Sequence, residues 1–103
     1  MTSDGPAGVR VKRQSGVRTT AFPGEVLVAC TWNPELSYAM AKAIALEVKE
    51  NNMYAWLAPA MNIHRDPLGG RNFEYYSEDP VISGKFAAAA VRGAQDQRIS
   101  ACP

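Results

Sequence analysis

The chain has 103 residues, 47% hydrophobic and 20% charged, with a formal net charge of +1. That length and balance fit one modest folded domain rather than a disordered segment. The near-neutral charge and the lack of a basic cluster interleaved with aromatics argue against nucleic acid as a partner. No apolar run approaches the roughly 18 residues of a membrane-spanning helix, which argues against a membrane. Met1-Thr-Ser-Asp-Gly-Pro lacks the apolar centre of a signal peptide, and the compartment stays open.

In chain order, Met1–Phe22 reads as irregular and polar. It opens on the turn signal Asp4-Gly5-Pro6, and Val9-Arg10-Val11-Lys12-Arg13 alternates but is too short for a strand. Val26-Leu27-Val28-Ala29-Cys30 is a continuous apolar run between Pro23-Gly24 and Thr31-Trp32-Asn33-Pro34, and reads as a strand covered on both faces. Asn33 then caps a helix with Pro34 at its first position and Glu35 in its first turn. Its apolar stripe is Leu36, Met40, Ala43, Ile44 and Val48, and its stop is Asn51-Asn52. Tyr54–Ala58 is a second strand, closed by Pro59. A long polar loop follows, and Asp79-Pro80 repeats the helix-opening chemistry. The second helix presents Ile82, Phe86, Ala89, Ala90 and Gly93, with Ala87–Ala90 small enough for close packing on a sheet. Arg98–Cys102 is a third strand.

The order strand–helix–strand–loop–helix–strand predicts an α/β fold with parallel strands. Three strands and two helices close nothing, so the chain is either a small open α/β domain or a piece of a larger barrel. A parallel sheet needs both faces covered, and an isolated three-stranded one would expose apolar surface. Cys30 and Cys102 lack metal-ligand spacing and read as two buried free thiols rather than a disulfide.

The chemistry concentrates in Asn62–Pro80. This stretch holds the only histidine, two arginines, four carboxylates and three aromatics. It leaves the carboxyl end of the second strand, where α/β folds meet their ligands. Arg71 could bind a polyhydroxylated or anionic ligand through its planar fork of donors. It could equally pin Glu74 or Glu78 within the loop. His64, with no partner set by spacing, reads as a hydrogen-bonded structural histidine rather than a general base. One histidine and scattered carboxylates give no coordination pattern, so neither metal nor cofactor is expected. Glu74, Glu78 and Asp79 could supply an acid/base pair, but Asp79 already serves as an N-cap, and Glu78 suits the same helix start. Asp4, on chemistry alone, caps a turn. Composition and spacing stop short of a reaction.

The motif Asn62-Ile-His-Arg-Asp-Pro-Leu-Gly-Gly-Arg-Asn-Phe-Glu-Tyr-Tyr-Ser-Glu-Asp-Pro80 closely resembles the signature loop of family 3 glycoside hydrolases, the β-glucosidase family. The likeness continues through Val81-Ile-Ser-Gly-Lys to Arg92-Gly-Ala-Gln. It reaches back to Ser3-Asp-Gly-Pro-Ala-Gly-Val-Arg10, Phe22-Pro23 and Thr31-Trp-Asn-Pro-Glu-Leu36. It implies that residues 1–103 are a fragment of the family's N-terminal (β/α)₈ TIM-type barrel, which takes about 250 residues. It also implies a retaining glycosidase whose partners are a β-glucoside, the rest of the barrel and a second domain.

Asp4 matches the family aspartate that accepts from hydroxyls of the first-subsite sugar, and Arg71 the arginine that donates to it. His64, Arg65, Asn72, Glu74 and Tyr75 fall inside the motif as loop-shaping residues. Gly69 stands where many members have Cys. The family's Lys-His pair would follow Pro103, and its nucleophile and acid/base lie further on. The resemblance therefore implies no catalytic residue in these 103 positions and no activity for them alone. A β-xylosidase or N-acetylglucosaminidase of the same family, a non-catalytic carbohydrate-binding fragment, and a small self-contained α/β binding domain are the alternatives.

Overall fold

The computed structural model describes residues 1–103, with every side chain except that of Arg13. Three short strands, β1 (Thr2–Asp4), β2 (Ala55–Leu57) and β3 (Ser100–Ala101), form one parallel sheet in the order β1-β2-β3. Ser3 lies opposite Trp56, and Trp56 opposite Ala101. Helices α1 (Glu25–Ala29) and α2 (Pro34–Glu50) connect β1 to β2, and α3 (Pro80–Gln95) connects β2 to β3. The expected α/β class and parallel pairing hold. The segment is a partial (β/α) barrel of the TIM type, with strands linked by helical crossovers.

The first strand is not the expected one. Val26–Cys30 is helical: α1 buries Glu25, Val28 and Ala29 and leaves Val26 and Leu27 exposed. Burial at i, i+3 and i+4 is the helical period, which a continuous apolar run conceals because either element can carry it. The sheet instead recruits Thr2–Asp4 from the stretch read as irregular. Of those residues only Thr2 favours a strand, and their pairing with β2 makes it one. Only Ser3 points into the interior there.

The helix boundaries follow their caps. Asn33 Oδ1 accepts from Glu35 N–H at 3.1 Å. Asp79 Oδ1 accepts from Val81 N–H at 2.7 Å and Ile82 N–H at 3.2 Å. Beyond α2, Asn52 takes φ 56°, the left-handed conformation that asparagine tolerates. The buried face of α2 is Ser37, Met40, Ala41, Ile44, Ala45 and Val48, so Leu36 turns outward and Ala43 is only half-buried.

On α3, Phe86, Ala89, Ala90 and Gly93 are buried as expected and Ile82 is partly buried. Ser83, Ala87 and Ala94 join them. This small-residue stripe packs chiefly against α2 rather than on the sheet. A Cβ at Gly93 would stand 2.4 Å from the Tyr38 carbonyl oxygen, so glycine is what lets the helices approach. Trp56, fully buried at the sheet centre, donates from Nε1 to the Gly5 carbonyl at 2.9 Å. Both cysteines are free, but they are exposed rather than buried. Cys30 sits at the end of α1 instead of a strand, and Cys102 lies just past β3.

Candidate functional site

The carboxyl ends of β1 and β2 lie side by side, with Asp4 opposite Leu57. The chain leaves β1 through Asp4-Gly5-Pro6, where Gly5 takes φ 126° and Gly8 N–H closes the turn on the Gly5 carbonyl. A Cβ at Gly5 would collide with the Gly8 carbonyl oxygen at 1.9 Å. The turn therefore requires glycine, and the turn sets the direction in which Asp4 leaves the strand. Arg10 returns to meet it: its N–H donates to the Asp4 carbonyl at 3.0 Å and its Nη1 to Asp4 Oδ2 at 3.1 Å. Asp4 stays about half exposed.

Past β2 the chain enters Ala58–Asp79, a loop that braces itself. Asp66 Oδ1 accepts from Leu68 N–H, and its carbonyl accepts from Gly69 N–H and from Asn72 Nδ2. His64 is held at both ends. Its N–H donates to the Ser77 carbonyl, and its Nε2 lies 2.9 Å from the Asn72 carbonyl oxygen. A carbonyl only accepts, so Nε2 carries the proton and the ring serves as a strut, as expected. A Cβ on Gly69 would sit 2.7 Å from Asn72 Oδ1. Tyr76 is buried, with its hydroxyl 3.2 Å from Ser37 Oγ, which in turn donates to the Phe86 carbonyl. This chain ties the loop to α2 and α3. Burial raises the Tyr76 pKa, keeping the phenol neutral.

These braces present Arg71. Its Nε donates to Glu74, and its guanidinium lies 5.9 Å from the Tyr75 ring centroid. Glu74, not Glu78, is its partner. Among the described residues no acceptor takes its Nη donors, and the side chain is largely exposed. The pairing with Glu74 raises the arginine's pKa, with Asp4 adding a smaller contribution of the same sign. Of the two expectations for Arg71, the loop pin is thus present, and the outer face of the fork is still open to a ligand.

Asp4 and Arg71, far apart in sequence, line one cavity of about 720 Å³ together with Arg10, Glu25, Phe73 and Glu74. That volume is of the order of a small-molecule site. His64 and Glu78 lie apart from it, lining a smaller hollow beside Trp32 and Cys30. Asp79 is spent on its cap. Among the described residues no cluster of His, Cys, Asp or Glu could hold a metal ion.

Glu25 is the residue that the sequence reading passed over. It is 1% exposed, and its Oε1 accepts from Ala60 N–H at 3.1 Å, at the head of the loop. Burial, opposed by the Ala60 hydrogen bond and reinforced by the charge of Glu74, pushes its pKa up to about 9. The signal was present: one carboxylate at the head of the run Val26–Cys30, in helical phase with Val28 and Ala29.

A parallel sheet with helical crossovers and polar groups gathered at the carboxyl ends of neighbouring strands places the chain in the α/β class whose ligands meet strand-end loops. The profile described as "Glycosyl hydrolase family 3 N terminal domain" matches residues 2–102. The chain belongs to that family. It is 60% identical over 102 residues to β-glucosidase A of Butyrivibrio fibrisolvens, covering 99% of this chain and 12% of that protein. It is 38% identical over 108 residues to an exo-α-(1→6)-L-arabinopyranosidase of Bifidobacterium longum, covering 96% of this chain and 14% of that enzyme. Among solved structures, β-glucosidase 3B of Thermotoga neapolitana in complex with glucose superposes with a TM-score of 0.90 at 53% identity. That match covers 98% of this chain and 15% of the other. The chain thus spans about an eighth of the length of the first of these relatives.

Proposed function

We propose that the chain is one part of the N-terminal barrel of a retaining β-glucosidase, and that it supplies Asp4 and Arg71 to the site holding the terminal sugar. The observation that carries this reading is their convergence on one cavity at the carboxyl ends of adjacent parallel strands. The chemistry suits a polyol. Asp4 Oδ1 has no partner among the described residues and accepts from sugar hydroxyls. The open Nη groups of Arg71 donate to sugar oxygens. Two such contacts orient the ring and favour its distortion toward an oxocarbenium-like state.

The reaction itself belongs to residues outside this segment. A retaining glycosidase needs one free carboxylate as nucleophile and one carboxylic acid as proton donor, about 5 Å apart. Of the carboxyl groups lining the cleft, Asp4 is paired with Arg10, Glu74 with Arg71, and Glu25 is sealed. None is an unencumbered nucleophile, which supports a binding role. Exposed Trp32, Phe73, Leu68 and Val81 give further barrel elements and a second domain apolar surface to cover.

A different glycone is the second reading: β-xylosidase or N-acetylglucosaminidase activity fits the same two contacts. The arabinopyranosidase among the relatives favours weighing it. The test is hydrolysis of aryl β-D-glucoside, β-D-xyloside and N-acetyl-β-D-glucosaminide by the full-length protein that carries this chain. The glucoside is expected to be preferred, with Arg71→Ala and Asp4→Ala each lowering kcat/KM by about 10- to 100-fold. Full activity in both variants would remove the assigned roles.

A further inference from the structure

The described residues between β1 and α1, 5–24, hold no strand and one short 3₁₀ turn, Arg13–Ser15. They still form one wall of the cleft, where Arg10, Thr19 and Thr20 line it beside Asp4. The stretch folds back on itself in two limbs. Phe22 N–H donates to the Ala7 carbonyl at 2.9 Å, and Thr19 Oγ1 donates to the Val9 carbonyl at 2.8 Å. A Cβ on Gly8 would stand 2.4 Å from the Thr20 carbonyl oxygen, so the limbs are in contact there. The inner limb carries Arg10, whose main chain and guanidinium both bind Asp4. Val9 is buried and Phe22 packs against the core, but apolar contact is non-directional and does not fix where the limbs point.

Direction comes from α2. Glu47, half-buried in its last turn, takes Thr20 with both carboxylate oxygens: Oε2 accepts from Thr20 N–H at 3.1 Å, and Oε1 accepts from Thr20 Oγ1. Among the described residues, these are the only hydrogen bonds that reach residues 6–23 from beyond β1. Both are charge-assisted, the stronger kind. The helix itself gains nothing from a carboxylate there, because its last turn is the negative end of the dipole and favours a cation. Glu47 acts from behind the wall and is not among the residues lining the cavity. We infer that Glu47 is a positioning residue for the sugar cleft, holding the outer limb by Thr20 so that the inner limb keeps Arg10 on Asp4 and Asp4 aimed at the sugar. The inference rests on the sugar-binding reading above.

The experiment is competitive inhibition by D-glucose of aryl β-glucoside hydrolysis in the full-length protein. Glu47→Ala is expected to weaken glucose binding about fivefold, a loss typical of residues coupled through one network. Glu47→Gln keeps an acceptor for Thr20 N–H and is expected to recover most of that loss. Glu47→Asp keeps the charge but draws it back by one methylene, and is expected to resemble Glu47→Ala. Double variants separate positioning from general loosening. In an Asp4→Ala background Glu47→Ala is expected to add less than about twofold, whereas in an Arg71→Ala background its effect should remain about fivefold. Wild-type glucose affinity in Glu47→Ala, or equal losses in the two backgrounds, overturns the role of Glu47. If Asp4→Ala itself leaves glucose binding unchanged, the sugar-binding reading of the cleft fails and the inference with it. Should Glu47→Ala not fold, the other two variants decide: equal glucose affinities in Glu47→Asp and Glu47→Gln overturn the inference.

Discussion

Replacing Glu25 by glutamine separates the energetic burden of a buried acid from its hydrogen bonds. The glutamate titrates near 4.5 when solvated and near 9 in the fold. Its folded pKa is raised, so the native state binds the proton more tightly than the unfolded chain does. The associated stability is fully present below about 4.5 and is lost progressively as pH rises to about 9. At pH 7 the unfolded glutamate is ionised and folding must protonate it. At about 1.4 kcal/mol per pH unit, that burden is on the order of 3 kcal/mol. Glutamine keeps the shape and an oxygen for Ala60 N–H but has nothing to titrate.

Glu25→Gln should therefore match wild type near pH 4.5 and exceed it by about 3 kcal/mol at pH 7, with the gap widening further toward pH 9. Urea unfolding of the full-length protein and its variant, across pH 4.5 to 8.5, reads this directly. Parallel stability curves would show that Glu25 is ionised in the fold, and the reasoning from its burial would be refuted.

Other positions give sharper structural tests. Gly5→Ala places a Cβ against the Gly8 carbonyl in a turn held at φ 126° and should cost at least about 2 kcal/mol; an unchanged melting temperature would contradict the turn geometry. Gly93→Ala pushes a methyl into the Tyr38 carbonyl and should cost about 1–3 kcal/mol, read by thermal unfolding, as α2 and α3 are forced apart. Tyr76→Phe removes the hydroxyl that meets Ser37 and should cost about 1 kcal/mol in urea titration, with little change in substrate affinity. The 103-residue chain on its own, with two edge strands and several exposed apolar side chains, should self-associate and turn over no aryl β-glucoside. A monomer by light scattering with a sharp cooperative melt would count against its being a segment of a larger barrel.

What could be read from the sequence depended on how local its cause was. The starts of α2 and α3 were legible because Asn33-Pro34 and Asp79-Pro80 act within their own turns. β2 was legible because Tyr54–Ala58 is apolar and bounded by proline. β1 was not, because Thr2-Ser3-Asp4 becomes a strand only by pairing with residues half the chain away. α1 was misread because a five-residue apolar run has no period until its neighbours include Glu25, and a carboxylate is not counted as a core residue.

The same distinction explains the site. Arg71 announced itself through its motif, and its pairing with Glu74 is an i, i+3 contact. Its convergence with Asp4 is set by the parallel register of β1 on β2, which no local pattern encodes. Glu25 enters the same wall from a third element. The cleft proposed to hold the sugar is therefore assembled by the sheet rather than by the loop that carries most of the polar residues. Loop variants that leave the register intact should retune the affinity for sugar. Changes at Gly5, where the β1 turn admits no side chain, should disperse the site altogether.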